Sequence, residues 1–506
     1  MKKALSIVLT CAILLTLAVF PAAAEGDRVT LTMLQRLNAA YVVEDNPIIK
    51  AWGDLLGVNI EIEAPPISSY SDRRNIIMAS GDLPDIIYVG DTGTNYVKWA
   101  TDGLLLNLTP YFNEETMPNA WTCLTDDELA VVRIASLDND IYSMPRVQTK
   151  PWDGILYRGD WLEKLGLEIP TTPAEFAEVA LAFTTQDPDG NGIDDTFGWS
   201  LNTVMGPAHR AILSGFGVRP SSVPDADGNY VIQEAQDAYM DYLDWMRDMY
   251  ANGSMDPEFY LTTMYEDDDI FDAGRMGIRY NNTVVEHLPV QNAKEAFKAA
   301  NPDGYVVMGP PLMQEGQTVA DVYYNPQIWG NYAINADTEH VDICVKFLDA
   351  GYTDEVNELL MIGIQGITYE TFDPETRYAA KTPEQAENAD KYLASYATMN
   401  YQTHDKGLLV ANGNTDEEVA MFNEAYVRIG AQTNRISYLA GGHLAGVNEI
   451  NVQISDEGIG DTFGELRTKY ICGQIEKEEL VDFIQNTMAP AYQPILDIYA
   501  ANNLNK

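Results

Sequence analysis

The chain alternates early: Val29, Leu31 and Met33 are apolar around Thr30 and Thr32, the period-two pattern of a half-buried strand. From Pro47 the period lengthens. Ile48, Ile49, Trp52, Leu55 and Leu56 fall on one helical face, with Asn46 placed to cap the start and Gly57 just past the end. "GVNIEIE" (Gly57–Glu63) returns to alternation, a more polar helix through Ile76, Ile77 and Met78 stops at Gly81, and "DIIYV" follows Pro84 as a third strand. Strand–helix–strand–helix–strand in so short a span predicts an α/β fold, a mostly parallel sheet with helices on both faces.

The same grammar resumes further on. "DGILYRGDWLEKLGL" (Asp153–Leu167) reads as a strand and a short helix. "TTPAEFAEVALAF" (Thr171–Phe183) opens a helix with Thr172 as N-cap, Pro173 in the first turn and Glu175 placed to complete a capping box. "PDADGNYVI" (Pro224–Ile232) predicts a hairpin turn, and the acidic run Glu266–Asp269 a solvated helix start. With 506 residues, no internal repeat and no Pro/Ser-rich linker, the expectation is two or three interwoven domains.

The ends and the cysteines narrow the setting. Lys2 and Lys3, the apolar run Ala4–Phe20 and the small residues Ala22-Ala23-Ala24 make residues 1–24 a secretory signal peptide; an uncleaved anchor is the rival reading. No later stretch reaches 18 uninterrupted apolar residues. Cys11 would leave with the leader, and Cys123, Cys344 and Cys472 are odd in number without a CxxC spacing, so no disulfide framework is implied. A formal net charge of −45 argues against nucleic acid and anionic lipid as partners. The acids are interleaved with 8 Trp and 29 Tyr, which argues against disorder.

One acidic stretch carries candidate chemistry. In "DPDGNGIDD" (Asp187–Asp195) the oxygens of Asp187, Asp189, Asn191, the Ile193 carbonyl and Asp195 stand at the alternating positions of a calcium loop, with Gly192 at its bend. Gly198 stands where an EF-hand has its closing bidentate Glu, and Phe197, Trp199 and Leu201 continue as a strand. This excludes an EF-hand and leaves two readings open, a calcium loop or an Asx-rich surface turn.

Ordered along the chain are "ASGDLPDIIYV" (Ala79–Val89), "DGLLLNLTPYF" (Asp102–Phe112), "DNDIYSMPR" (Asp138–Arg146), "ILYRGDWLEKLGLEIPTTPAEF" (Ile155–Phe176), "DPDGNGIDD", "FDAGRMGI" (Phe271–Ile278), "YAINADTEHVDICVKFLD" (Tyr332–Asp349) and "GIQGITY" (Gly363–Tyr369). In this set the sequence resembles extracellular solute-binding protein family 1, the substrate-binding proteins of ABC importers, within the alginate- and oligosaccharide-binding lipoprotein-like subgroup. The resemblance implies a two-lobed periplasmic-binding-protein-like α/β fold with a multi-crossing hinge and a ligand cleft between the lobes. It places lobe one at 25–147 plus 311–365 and lobe two at 148–310 plus 366–506. It further implies a non-enzymatic, monomeric, extracytoplasmic protein that delivers an oligosaccharide to membrane permease subunits. Structural Ca2+ in the acidic loop is implied too, the shell closed here by Asp195 and Thr196 where relatives have an Asp-Glu pair. Two departures stand out: no lipid-anchor cysteine ends the leader, and Gln365 replaces the family's usual Glu.

A sugar cleft supplies flat aromatics for apolar ring faces and planar polar groups for hydroxyls. Positions where strands give way to loops at the interlobe edge nominate Asn38, Tyr88, Asp91, Trp152, Trp199, Asn202, Arg279, Tyr280 and Trp329, whereas Trp52 and Trp245 read as core. Arg36, Arg146 and Arg279 would permit an acidic sugar. A peptide or another small solute is the alternative ligand. A secreted glycoside hydrolase is the rival class; it needs two suitably spaced carboxylates, but the element order is not that of a (β/α)8 barrel, the five histidines are scattered and no GxSxG elbow occurs.

Overall fold

The computed structural model describes residues 28–37, 40–90, 92–147, 152–200, 209–262, 264–280, 287–325, 328–373, 378–394, 397–399, 416–442 and 444–506. The leader, Asn38, Asp91 and Asn202 lie outside them, and the side chain of Trp329 is likewise outside the description.

The alternating segments become β1 (Thr30–Leu34), β2 (Asn59–Glu63) and β3 (Ile86–Tyr88). β1 lies parallel between β2 and β3. Helix α1 (Pro47–Leu56) starts as expected: the Asn46 side chain accepts from Ile48 N at 2.8 Å and Ile49 N at 3.3 Å, and Gly57 closes the end at φ 69°. Such an N-cap is worth about 1 kcal/mol over alanine. The sheet is completed from far along the chain by β4 (Met144–Val147) and β10 (Ile328–Ile334) in the order β2-β1-β3-β10-β4.

A second sheet has the order β8-β5-β7-β6, from β5 (Ile155–Arg158), β6 (Phe197–Trp199), β7 (Met276–Arg279) and β8 (Val306–Gly309). Helix α2 (Pro173–Thr185) carries the capping box read from the sequence, Thr172 with Glu175. Both sheets are mixed rather than mostly parallel. β10 runs antiparallel to β3 and β4, and β5 runs antiparallel to β7 and β8, while β6 and β7 pair parallel.

Each sheet has its own core. One gathers Leu31, Trp52, Ile86, Met144, Ile334 and Phe347; the other gathers Tyr157, Phe176, Trp199, Leu243, Ile278 and Tyr470. The packing moves two segments from the body that the sequence suggested. Leu312 joins the second core, its N donating to Ala211 O and that of Met313 to Thr171 O, and β9 (Ala320–Tyr324) pairs with β11 (Thr433–Ser437). Ala394, Ala397 and Met399 join the first core, and Val147 N donates to Met399 O.

Two local expectations change. Pro224–Ile232 forms its turn, with Gly228 at φ 86°, but has no paired strands on either side. The acidic run does start a helix, Met264–Asp272, yet Asp267 is buried and Asp268 pairs with Arg279.

Candidate ligand cleft and acidic loop

The chain enters the second body at Trp152, and this edge is where the candidates can be judged. Trp152 is half-buried. The Arg435 guanidinium sits 4.2 Å from its ring centroid and Tyr426 flanks it at 6.2 Å. Its indole rests on Gly430 of α4 (Asp416–Ala431), where a Cβ would stand 2.8 Å from the indole nitrogen. Beside it Asp153 and Arg210 make a buried fork: Nε to Oδ2 at 2.7 Å and Nη2 to Oδ1 at 2.7 Å. Bidentate, charge-assisted contacts of this kind fix orientation. Burial pulls the Arg210 pKa down, but the charge and hydrogen bond of Asp153, with Tyr280 and Tyr438, together hold it above its ordinary value.

The other described candidates lie inside the bodies. Trp199 is 0 % exposed, with Phe176 edge-on at 5.4 Å and Trp245 at 5.6 Å. It cannot stack on a ligand in this arrangement, because β6 is an edge strand sealed by α2 on one side and by Ser254 and Asp256, which bond its backbone, on the other. Tyr280 is 1 % exposed and its hydroxyl accepts from Ala211 N at 3.3 Å; burial raises its pKa. Arg279 is paired with Asp268, and its Nη1 lies 3.4 Å from Gln291. Tyr88 is buried, edge-on to Tyr70 at 5.7 Å and Tyr332 at 5.3 Å. The close seat for that ring is Gly330, at φ 112°, where a Cβ would meet the Tyr88 hydroxyl at 2.2 Å. The pairing of β10 is irregular here, between Ile328 and Asn331. Arg146 is also internal, donating to Thr398 O at 2.7 Å. Asp153, Arg210, Arg435 and Tyr438 were not nominated by the sequence. The "WD" after the first crossing was the available signal; the partners come from segments far apart in the chain.

The acidic loop is exposed and curled through Gly190 (φ 76°) and Gly192 (φ 77°). Its oxygens accept from its own backbone: Asp187 Oδ1 from Gly190 N at 3.1 Å, Asp189 Oδ1 from Asn191 N at 3.2 Å, Asn191 Oδ1 from Ile193 N at 2.6 Å. Asn191 Nδ2 ties Asp189 to Asp195 at 2.7 and 3.2 Å. Asp189 is pushed up by burial and by its acidic neighbours, while amides and Lys164 outweigh burial and pull Asp187 down. Thr196 departs from the expected ligand set. It is buried, and its hydroxyl donates to Phe183 O at 2.9 Å, closing the end of α2. Gly198 also explains itself, since a Cβ there would lie 2.4 Å from Ala180 O, so no closing glutamate fits. Among the described residues no group of three or more His, Cys, Asp or Glu is gathered as a metal site.

Two α/β bodies, each with its own sheet and core, define a two-lobed binding protein. The family model "Bacterial extracellular solute-binding protein" matches residues 44–358, and the chain belongs to that family. Lipoprotein LipO of Bacillus subtilis is 25% identical over 435 residues, 82% of this chain and 85% of its own. The fructooligosaccharide ABC transporter substrate-binding protein FusA of Streptococcus pneumoniae is 27% identical over 207 residues, 38% of each chain. An extracellular solute-binding protein from Bifidobacterium longum subsp. infantis shares the fold at TM-score 0.71 and 16% identity, over 94% of this chain and 98% of its own. FusA in complex with kestose does so at TM-score 0.62 and 20% identity, over 94% and 100%. An EF-hand mutant of FusA and the alginate-binding protein AlgQ2 solved without calcium ion have the same fold. Family and relatives are binding proteins that act outside the cytoplasm, and among the described residues no helix is long and apolar enough to cross a membrane.

Proposed function

We propose that this protein captures an oligosaccharide between its two bodies by hinge closure and hands it, as a monomer and without catalysis, to ABC-importer permease subunits, residues 1–24 having served as its leader. The carrying observation is the edge at the first crossing, where a half-buried Trp152 with a fixed ring stands beside the oriented Asp153–Arg210 pair. A half-buried aromatic next to a planar polar pair suits the edge of a pyranose or furanose ring. FusA, a fructooligosaccharide binder, supports the ligand class. In this reading the lobes are 28–147 with 328–399, and 152–325 with 416–506, a division that the two separate cores support.

The same reading gives the acidic loop a structural Ca2+, held by Asp187, Asp189, Asn191, the Ile193 carbonyl and Asp195. These all-oxygen donors suit a hard cation, whose charge would relieve the crowding of Asp189 against its acidic neighbours.

The test is a thermal-shift screen of the mature chain against fructan and galacturonate oligosaccharides and a peptide panel, with and without calcium. A rise in Tm with an oligosaccharide is expected. A response to peptides alone overturns the ligand class, and turnover of a bound sugar overturns the non-enzymatic reading.

A further inference from the structure

A cavity of about 230 Å3 opens behind the Asp153–Arg210 pair and runs into the second body. It lies below the usual 300–1,000 Å3 of pockets for drug-sized ligands and equals the liquid volume of roughly eight waters. That is room for one sugar ring rather than a chain. Among the described residues, its lining comes from the second body alone. Arg210, which pairs with Asp153, and Tyr438 line it together with Tyr239 from α3 (Asp237–Ala251), Arg467 from α5 (Ile459–Ile471), Glu234 and Gln233.

The lining has the chemistry of hydroxyl recognition. Tyr239, Tyr242, Tyr323 and Tyr438 supply aromatic surface, and Arg, Glu, Gln and Asp side chains supply planar hydrogen-bonding groups. Arg467 Nε is buried and meets no acceptor among the described residues, a cost that an incoming hydroxyl would remove. Burial raises the Glu234 carboxyl despite the nearby Arg467 charge, so this acid gains from a hydrogen-bonding guest. The lining cations are already engaged by acids: Arg210 pairs with Asp153, and Arg467 lies near Glu234. No cationic surplus remains for a carboxylate. Arg146 and Arg279, which could have supplied one, are committed internally.

We propose that this cavity is an end pocket for a single neutral monosaccharide unit, the terminal ring of the ligand, bound by the second body alone. The inference rests on the oligosaccharide reading for the ligand's remainder, but not for the ring itself. Because one body holds the pocket, a free neutral monosaccharide should bind weakly without hinge closure.

The experiment titrates the full mature chain by calorimetry with glucose, galactose, fructose and galacturonate, alongside fructan and galacturonate trisaccharides. At least one neutral monosaccharide should bind, and galactose should bind more tightly than galacturonate, which replaces its CH2OH by a carboxylate. Gln233→Trp, which fills the cavity, and Arg467→Met, which removes its buried Nε donor, should each weaken monosaccharide and trisaccharide binding at least tenfold. Their Tm values report that both variants fold. No neutral monosaccharide binding, galacturonate preferred over galactose, or full affinity in Gln233→Trp overturns the pocket. Unchanged trisaccharide binding in both variants removes the pocket and leaves the oligosaccharide reading standing. Monosaccharide binding with no trisaccharide bound does the reverse.

Discussion

Trp152 and Trp199 both stand at strand ends of the second body, one leading into β5 and the other closing β6, and they meet opposite fates. Trp199 is enclosed by Phe176 and Trp245 and holds the body together. Trp152 lies at a chain crossing, rests on Gly430 and carries the Arg435 guanidinium on its ring. In sequence both tryptophans read as aromatics at a strand end, Trp152 beside Asp153 and Trp199 between Gly198 and Ser200. What separates them is whether a helix returns to seal the strand: α2 seals β6, while at the crossing the chain is leaving one body for the other.

The comparison breaks most readily at Trp199. Trp199→Ala should cost about 3–5 kcal/mol as a large core truncation, read as a fall in Tm, with ligand affinity of the folded fraction preserved. A loss of affinity at unchanged Tm would instead put Trp199 in the cleft. At the other tryptophan, Asp153→Ala strands the buried Arg210 charge and should cost about 3 kcal/mol, and it should weaken sugar binding as well; chemical denaturation and calorimetry separate the two losses. Between these lies the acidic loop. Calcium at ten to a hundred times its Kd should stabilise the protein by roughly 1–3 kcal/mol, lost on adding EDTA. Asp187→Ala should abolish that increment and Thr196→Val should retain it; an EDTA-insensitive Tm assigns the loop to a surface turn. The smallest effect belongs to Trp152→Ala. It should leave Tm nearly unchanged and weaken oligosaccharide binding by about 0.5–1.5 kcal/mol, some two- to tenfold, as measured by calorimetry.

Local signals were legible where one short stretch contains both cause and effect. Asn46, Pro47 and Gly57 bound α1, and Thr172 with Glu175 caps α2, because a cap and its amides are neighbours in the chain. The bend of the acidic loop was legible for the same reason. The site was mostly not. Tyr280 reads as a loop aromatic, yet its hydroxyl meets Ala211 in a segment it does not adjoin. Thr196 reads as the last ligand of the loop, yet its hydroxyl completes the end of α2. Gly198 reads as a missing glutamate, whereas the close pass of Ala180 requires the absence of a side chain.

By itself the sequence determined the α/β class, the family, the helix ends and the loop's donor chemistry, since each depends on residues within a few positions or on their order along the chain. The tertiary structure alone decided which strands pair antiparallel, that Leu312 packs with the second body and Met399 with the first, and which aromatics remain at the edge. It decided also that Arg210, Glu234, Tyr438 and Arg467 line one cavity. Burial and convergence are properties of what packs from a distance, and no local pattern encodes the far side of a contact.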